Sequence, residues 1–323
     1  MLPGVPRLVV LDAYTLNPGD NPWTPVAAHG ELVTFDRSEP AEVVPRALGA
    51  QVVLTNKTRL DAATLRALPD LRGVCVTATG VNVVDLTAAT ELGLPVCNVP
   101  AYSTASTAQH TIALLLELTN RVGLHDRAVH AGDWATSPDF SFTLASLTEL
   151  DGLTLGVVGF GAIGRRVAEI GRSLGMRILA AGEARRDGDP DWLSRVPLDA
   201  LFRGADVVTL HCPLTPETRG LIDATRLASM RPTALLINAG RGALVVESDL
   251  AQALERGVIA GAALDVLDVE PPPADSPAFS AKNCVITPHI AWTTLAARRR
   301  AMQVTADNVR AILLGTPQNV VNA

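Results

Sequence analysis

The chain has 323 residues, enough for two ordinary domains that each bury a core of their own. Hydrophobic residues make up 48% of it, charged residues 19% and aromatic residues 4%, a composition suited to close-packed helices on a sheet. The formal net charge of −6 opposes a broad counterion-releasing surface, so nucleic acid is not an expected partner.

The opening, MLPGVPRLVVLDAYTL, has no basic region before a long apolar core, so no leader is expected. From there to about residue 100, the Val- and Leu-rich runs RLVVLDA, ELVTFD, QVVLTN, RGVCVT and PVCNV alternate with helical patterns. That alternation predicts a parallel α/β sheet. A helical pattern over residues 103–131 follows, and it is expected to cross from one domain to the other. Its most apolar part, TIALLLELT, is too short to span a bilayer. After the polar loop GDWATSPDFSF comes a second series, LTLGVVGF, MRILAAG, ADVVTLHC, TALLINAG, VIAGAALDV and NCVITPH, which predicts a second sheet. The chain after His289 is helical in pattern and has no strand of its own to cover, so it is expected to pack back on the first domain. Within it Arg298, Arg299 and Arg300 form the one basic cluster, expected on a solvated face. The four cysteines, Cys75, Cys97, Cys212 and Cys284, lie in or beside apolar runs without CxxC spacing, which argues against disulfides and zinc and for a reducing cytoplasm.

The sharpest local signal is GFGAIG, residues 159–164, placed between the strand run LTLGVV and the helical pattern RRVAEIGRSLG. In that context Gly159 serves a tight turn, Gly161 lets the backbone approach a pyrophosphate, and Gly164 lets helix and strand pack closely. The N-terminus of the helix, with Ala162 and Ile163, would face the phosphates. At the end of the next strand run an acid would bind the ribose hydroxyls of NAD, whereas bases would accommodate the 2′-phosphate of NADP. Here the sequence reads Gly182, Glu183, Ala184, Arg185, Arg186. Glu183 favours NAD, while Arg185 and Arg186 keep NADP as the alternative.

Three more residues follow strand runs: Arg241 in INAGRGALV, Glu270 after ALDVLDV, and His289 at the end of VITPH. Ligands of open α/β sheets gather beyond the carboxyl ends of the strands, so these three could converge on a cofactor. A cationic fork, a carboxylate and an imidazole are the parts needed to bind and reduce a 2-oxo acid. Rival chemistries find little support. His125 and His130 are five apart, which does not place them on one helix face, and there is no GxSxG elbow.

With GFGAIG, HCPLTPET, INAGRGALV, GAALDVLDVEPPP and ITPHIAW in this order, nearly the whole chain resembles the D-isomer-specific 2-hydroxyacid dehydrogenase family. LDAYTLNPGD, LTNKT, TATGVNVVD and NVPAYSTASTAQHT look like its glycerate dehydrogenase, or hydroxypyruvate reductase, branch. The resemblance implies two Rossmann-like or flavodoxin-like parallel-sheet domains, with a discontinuous substrate domain, residues 1–102 and 290–323, and an NAD(P) domain inserted at 103–289. It also implies a homodimer built around the long helix. Arg241 would hold the substrate carboxylate and carbonyl oxygen, His289 would be the acid/base, and Glu270 would hydrogen-bond the imidazole. Thr79, Gly80 and Val81 would bind the carboxylate through their backbone, Trp292 would line the pocket, and Thr107, Ile163, Pro213, Thr218 and Asp265 would contact the cofactor.

Three departures from the family pattern bear on specificity. Gly182 stands in place of the usual acid, and Val81 where related hydroxypyruvate reductases often have an aromatic. Val76 stands near a basic residue of phosphoglycerate dehydrogenases and no regulatory domain follows Ala323, so a phosphorylated substrate is not expected. Pro288 before His289 resembles the hydroxyacid enzymes rather than formate dehydrogenases, which have an amide there. The expected reaction is NAD(P)-dependent reduction of hydroxypyruvate or glyoxylate. The alternative is a dinucleotide-sensing co-repressor, since relatives of that kind keep the same three residues.

Overall fold

The computed structural model describes residues 4–322, which form two compact units. The first contains residues 4–103 and 292–322, the second residues 104–291.

In the first unit, β1 (Arg7–Val10), β2 (Glu31–Thr34), β3 (Val52–Thr55), β4 (Gly73–Val76) and β5 (Val96–Cys97) form a parallel sheet in the order β2-β1-β3-β4-β5. This is the flavodoxin-like order. Leu8 and Val10 of β1 face one apolar cluster and Val9 and Leu11 the other, so both faces of the sheet are covered. That explains why these strands read as unbroken apolar runs rather than as alternation. One of the two clusters is completed by Ala297, Ala301, Met302, Ala306, Val309 and Ile312 from the helix Leu295–Leu313, which returns to this sheet as expected. Arg298 departs from expectation. It is 7% exposed, and its guanidinium grips both carboxylate oxygens of Asp20 at 2.5 and 2.7 Å, while Arg299 and Arg300 stay exposed. Its pattern position, one residue after Ala297, falls at the margin of the buried stripe, where a long side chain can reach a partner under the surface.

The second unit holds β6 (Thr154–Val158), β7 (Arg177–Ala181), β8 (Leu193–Val196), β9 (Val207–Leu210), β10 (Leu235–Asn238), β11 (Gly261–Leu264) and β12 (Cys284–Ile286). All are parallel, in the order β12-β11-β10-β9-β6-β7-β8, a Rossmann order extended by one strand. The chain runs from β6 outward to β8 and then restarts on the other side at β9, so the topological switch lies between β6 and β9. Six of the seven strands match the runs expected from sequence; β8 does not. Its residues, Leu193, Ser194, Arg195 and Val196, alternate too briefly to stand out, and it pairs only with β7 at the sheet edge.

The single helix expected over 103–131 is two helices, Thr104–Asn120 and Val122–His130. Arg121 between them has left-handed backbone (φ 52°), and the amide of Gly123 donates to the Glu117 carboxylate at 3.1 Å, restarting the chain in a new direction. The first of the pair does not cross between units: it starts at the first residue of the second unit. It buries Ala108, Leu115 and Leu118 with Leu155, Val157 and Val167. Among the described residues, no helix is long and apolar enough to cross a membrane.

Candidate active site

The glycine loop follows β6 directly. Gly159 has a φ of +97°, and a Cβ there would lie 2.3 Å from the backbone nitrogen of Cys212, so this residue must be glycine both for its conformation and for the close approach of the chain leaving β9. A Cβ at Gly164 would lie 2.1 Å from the Gly159 carbonyl oxygen. Gly161, the N-cap of the helix Ala162–Ser173, would meet nothing within 4 Å. Two glycines are therefore required by the protein's own packing and the third is open at a helix N-terminus, the arrangement a dinucleotide pyrophosphate fits. Ala162 is exposed and Ile163 half-buried beside it.

At the end of β7, Gly182 has a φ of +150°, and a Cβ there would stand 3.1 Å from Nη1 of Arg195. Sequence reasoning missed that arginine. Its guanidinium donates to both oxygens of Asp189 at 2.5 and 2.9 Å and to the Ala181 carbonyl at 3.1 Å, and lies 5.5 Å from the Phe160 ring centroid. The side chains of Arg195 and Asp189 are only 5% and 2% exposed. Hydrogen bonding from Arg195, then from the Arg186 amide, holds the Asp189 carboxyl well below the usual carboxylate range. Arg185 is turned back on its own loop, donating to Asp191 at 2.6 Å and to the Asp189 carbonyl at 2.9 Å. Glu183 and Arg186 are exposed.

Beyond β9, Thr218 closes the HCPLTPET loop. Its hydroxyl donates to the Pro213 carbonyl at 2.8 Å and accepts from the Thr215 amide at 2.7 Å. Thr107 is buried on the helix Thr104–Asn120.

Beyond β10, the buried side chain of Asn238 shapes the arginine loop. Its Nδ2 donates to the Arg241 carbonyl at 2.8 Å and its Oδ1 accepts from the Gly240 amide at 3.0 Å. A Cβ at Gly242 would lie 1.9 Å from the Leu267 carbonyl carbon, so glycine there lets the loop press against the backbone three residues before Glu270. Arg241 itself is exposed, with one local bond from Nη1 to the Gly240 carbonyl at 2.8 Å. Asn238 ends a strand run and precedes a Gly-Arg-Gly turn, a signal that was present in the sequence but had no assigned role.

His289 and Glu270 meet directly, Nδ1 to Oε2 at 2.6 Å, with the other Glu270 oxygen accepting from the Leu267 amide at 3.1 Å. A carboxylate on Nδ1 makes that nitrogen the donor and leaves Nε2 for other partners. Their side chains are 27% and 32% exposed. His289 has left-handed backbone (φ 56°), a conformation that a non-glycine residue holds only where its surroundings enforce it. Asp265 supplies the enforcement. Its backbone carbonyl accepts from the His289 amide at 2.8 Å, and its carboxylate accepts from the Ile290 and Ala291 amides, both at 2.9 Å, and from the Thr287 hydroxyl at 2.6 Å. His110 adds Nε2 at 3.3 Å. The Asp265 side chain is fully enclosed, and its carboxylate holds the His289 turn.

In the first unit, the Thr79 hydroxyl donates to the Val99 carbonyl at 2.8 Å and the Thr79 carbonyl accepts from Asn98 at 2.9 Å. The amides of Thr79, Gly80 and Val81 donate to no acceptor among the described residues. Trp292 is half-buried, edge-on to Tyr102 with ring centroids 6.2 Å apart.

Residues 112–291 match the family described as D-isomer specific 2-hydroxyacid dehydrogenase, NAD binding domain. The chain is 43% identical to a hydroxypyruvate reductase of Blautia hydrogenotrophica, over 98% of this chain and 99% of that protein. Among solved structures, the TT0316 protein from Thermus thermophilus superposes with a TM-score of 0.85 at 36% identity, covering 98% of this chain and 99% of that one. An NADPH-dependent glyoxylate/hydroxypyruvate reductase of Sinorhizobium meliloti, solved with NADP and malonate, also reaches 0.85, at 27% identity and with 98% and 97% covered. The protein belongs to the D-isomer-specific 2-hydroxyacid dehydrogenase family.

Proposed function

We propose that this protein is an NAD(P)-dependent reductase that converts small 2-oxo acids, foremost hydroxypyruvate and glyoxylate, to D-2-hydroxy acids. The observation that carries the reading is the 2.6 Å pair of His289 and Glu270, set on the same unit as a glycine loop built for a dinucleotide. Two of the relatives described above are named as reductases, and nothing observed favours the regulatory alternative.

Bound NAD(P)H supplies the hydride. The chain's own residues do the rest. His289, protonated and held through Nδ1 by Glu270, gives a proton from Nε2 to the oxygen that gains charge as the carbonyl is reduced. Glu270 keeps the ring in one orientation and stabilises its positive charge. Arg241 presents paired donors to the carboxylate and carbonyl oxygen, and its charge grows in value as negative charge builds there. The unpartnered amides of Thr79, Gly80 and Val81 are donors of the kind a carboxylate needs. Asp265 serves as a positioning residue for the His289 turn. Phosphorylated substrates are left aside because Val76 offers no charge to a phosphate.

NAD is the favoured cofactor. Arg195 is enclosed with Asp189 and offers no free charge to a 2′-phosphate, and Glu183 is exposed at the strand end, while the exposed Arg185 and Arg186 keep NADP as the alternative. A cytoplasmic homodimer completes the proposal. All four thiols are unpaired, and residues 122–147 expose Val122, Trp134, Phe140, Leu144 and Leu147, an apolar surface fit to pack against a second copy.

The test is a panel of initial rates with NADH and NADPH against hydroxypyruvate, glyoxylate, pyruvate and a bulkier 2-oxo acid. NADH with hydroxypyruvate is expected to give the highest kcat/KM. No turnover with any pair would overturn the assignment, and a preference for NADPH would overturn the role of Glu183.

A further inference from the structure

Arg195 spans the loop that follows β7, holding it at both ends. Nη1 donates to the carbonyl of Ala181, the last residue of β7, at 3.1 Å, while Nε and Nη2 take the two oxygens of Asp189 at 2.5 and 2.9 Å. The same carboxylate accepts from the Arg186 amide at 2.8 Å, and the Asp189 amide donates to the Arg186 carbonyl at 3.0 Å, so residues 186–189 turn around the enclosed pair. At the start of the loop Gly182 leaves its side-chain position empty. The three atoms nearest to a Cβ there all belong to Arg195: Nη1 at 3.1 Å, Cδ at 3.3 Å and Cζ at 3.9 Å. A guanidinium thus borders the position from which an acid reaches the adenosine ribose hydroxyls in this fold.

An arginine free to donate at that position would bind a 2′-phosphate; one gripped by a carboxylate through two hydrogen bonds has its charge and its donors already engaged. A second arginine adds to the positive field. Arg165, in the first turn of the helix Ala162–Ser173, donates to the Gly188 carbonyl at 3.1 Å, and the Arg165 and Arg195 guanidiniums both lie over the Phe160 ring, 5.1 and 5.5 Å from its centroid. Asp189 is the enclosed anion that faces them. The hydrogen bonds from Arg195 and the Arg186 amide that hold its carboxyl well below the usual range keep it charged at working pH.

We propose that Asp189 is a specificity-determining residue: by engaging Arg195 it withholds a guanidinium from the 2′ position of the adenosine ribose and holds the enzyme to NADH. This rests on the NAD(P)-dependent reading above and adds to Glu183 a second determinant, one that acts by masking a charge. Loss of the Asp189 charge releases Arg195 at the adenosine end of the dinucleotide, far from the hydride, so it changes the choice of cofactor rather than the chemical step.

The experiment compares the wild type with Asp189→Asn, with Asp189→Ser, and with Asp189→Asn combined with Arg195→Met. Rates with NADH and NADPH are measured at saturating hydroxypyruvate, binding of ADP and 2′,5′-ADP by calorimetry, and folding by melting temperature. Removing the Asp189 charge is expected to raise the kcat/KM for NADPH relative to NADH by about tenfold or more, and to tighten 2′,5′-ADP relative to ADP by a similar factor. The double variant has no guanidinium to release and should keep the wild-type ratios. A pair that only braces the loop would weaken both dinucleotides alike, so unchanged ratios in the single variants would overturn the proposal. So would ratios that rise as far in the double variant, which would hand the choice to Arg185 or Arg186. Asp189→Ser keeps an oxygen for the Arg186 amide and supplies the same reading if Asp189→Asn does not fold. Should the wild type turn over no acid, the reductase reading fails, while the two nucleotides still decide the role of Asp189.

Discussion

His289 is held from two sides: Glu270 takes its ring and Asp265 its backbone. The two supports predict different losses. His289→Ala removes the proposed proton donor and should lower kcat by about 100- to 10,000-fold, with NADH binding, read by nucleotide fluorescence, retained. Near-normal turnover would remove His289 from the mechanism. Glu270→Gln keeps a hydrogen bond but loses the charge that favours imidazolium, so a smaller fall in kcat is expected from the same rate assay. Another histidine carries a stability signature instead. Burial pushes the His211 imidazole down to about 4, and its Nε2 lies 2.9 Å from the Thr209 hydroxyl. The unfolded chain takes up that proton near pH 6.5, so between about 6.5 and 4 the unfolded state binds more protons. Stability from this site is therefore complete above that window and lost as pH falls through it, by up to about 3 kcal/mol. Denaturant midpoints measured from pH 7.5 to 4.5 should fall in the wild type and fall less in His211→Asn.

At the scale of elements, the glycine loop separates packing from binding. Gly161→Ala places a methyl in open space, so its melting temperature should stay near that of the wild type while KM for NADH rises. Gly164→Ala drives a methyl into the Gly159 carbonyl and should cost about 1–3 kcal/mol in thermal or denaturant unfolding. Equal stability of the two variants would refute this division. The β7–β8 edge is a second case. Asp189→Asn would strip the charge partner from an enclosed arginine and should lower stability. Replacing both, as Asp189→Leu with Arg195→Met, should cost less than the sum of the single changes, because no uncompensated charge remains. Chemical unfolding of the three variants measures the coupling.

At the scale of the whole molecule, the first unit is assembled from the two ends of the chain. Arg298 and Asp20, 278 residues apart, tie the N-terminal segment to the last long helix. Its parallel strands, its helix Leu295–Leu313 and the dinucleotide loop of the second unit were all legible in the sequence, because short apolar runs, helical periodicity and Gly-x-Gly-x-x-Gly are local patterns imposed by backbone geometry. The positions of Arg241, Glu270 and His289 past strand ends were likewise legible, and the structure joins the last two at 2.6 Å. Other features depended on partners distant in the chain and left no local trace. Arg195 sits in an unremarked edge strand and acquires meaning only because Gly182 leaves room and Asp189 folds back on it. Arg298 looks solvated until Asp20 reaches it, and the long helical pattern breaks where Glu117 captures the amide of Gly123. Periodicity and motif spacing thus determined the class of the protein, while the partners of each buried charge were decided only when the chain closed on itself, since a charge can be buried only where the tertiary structure supplies its counter-charge or donors.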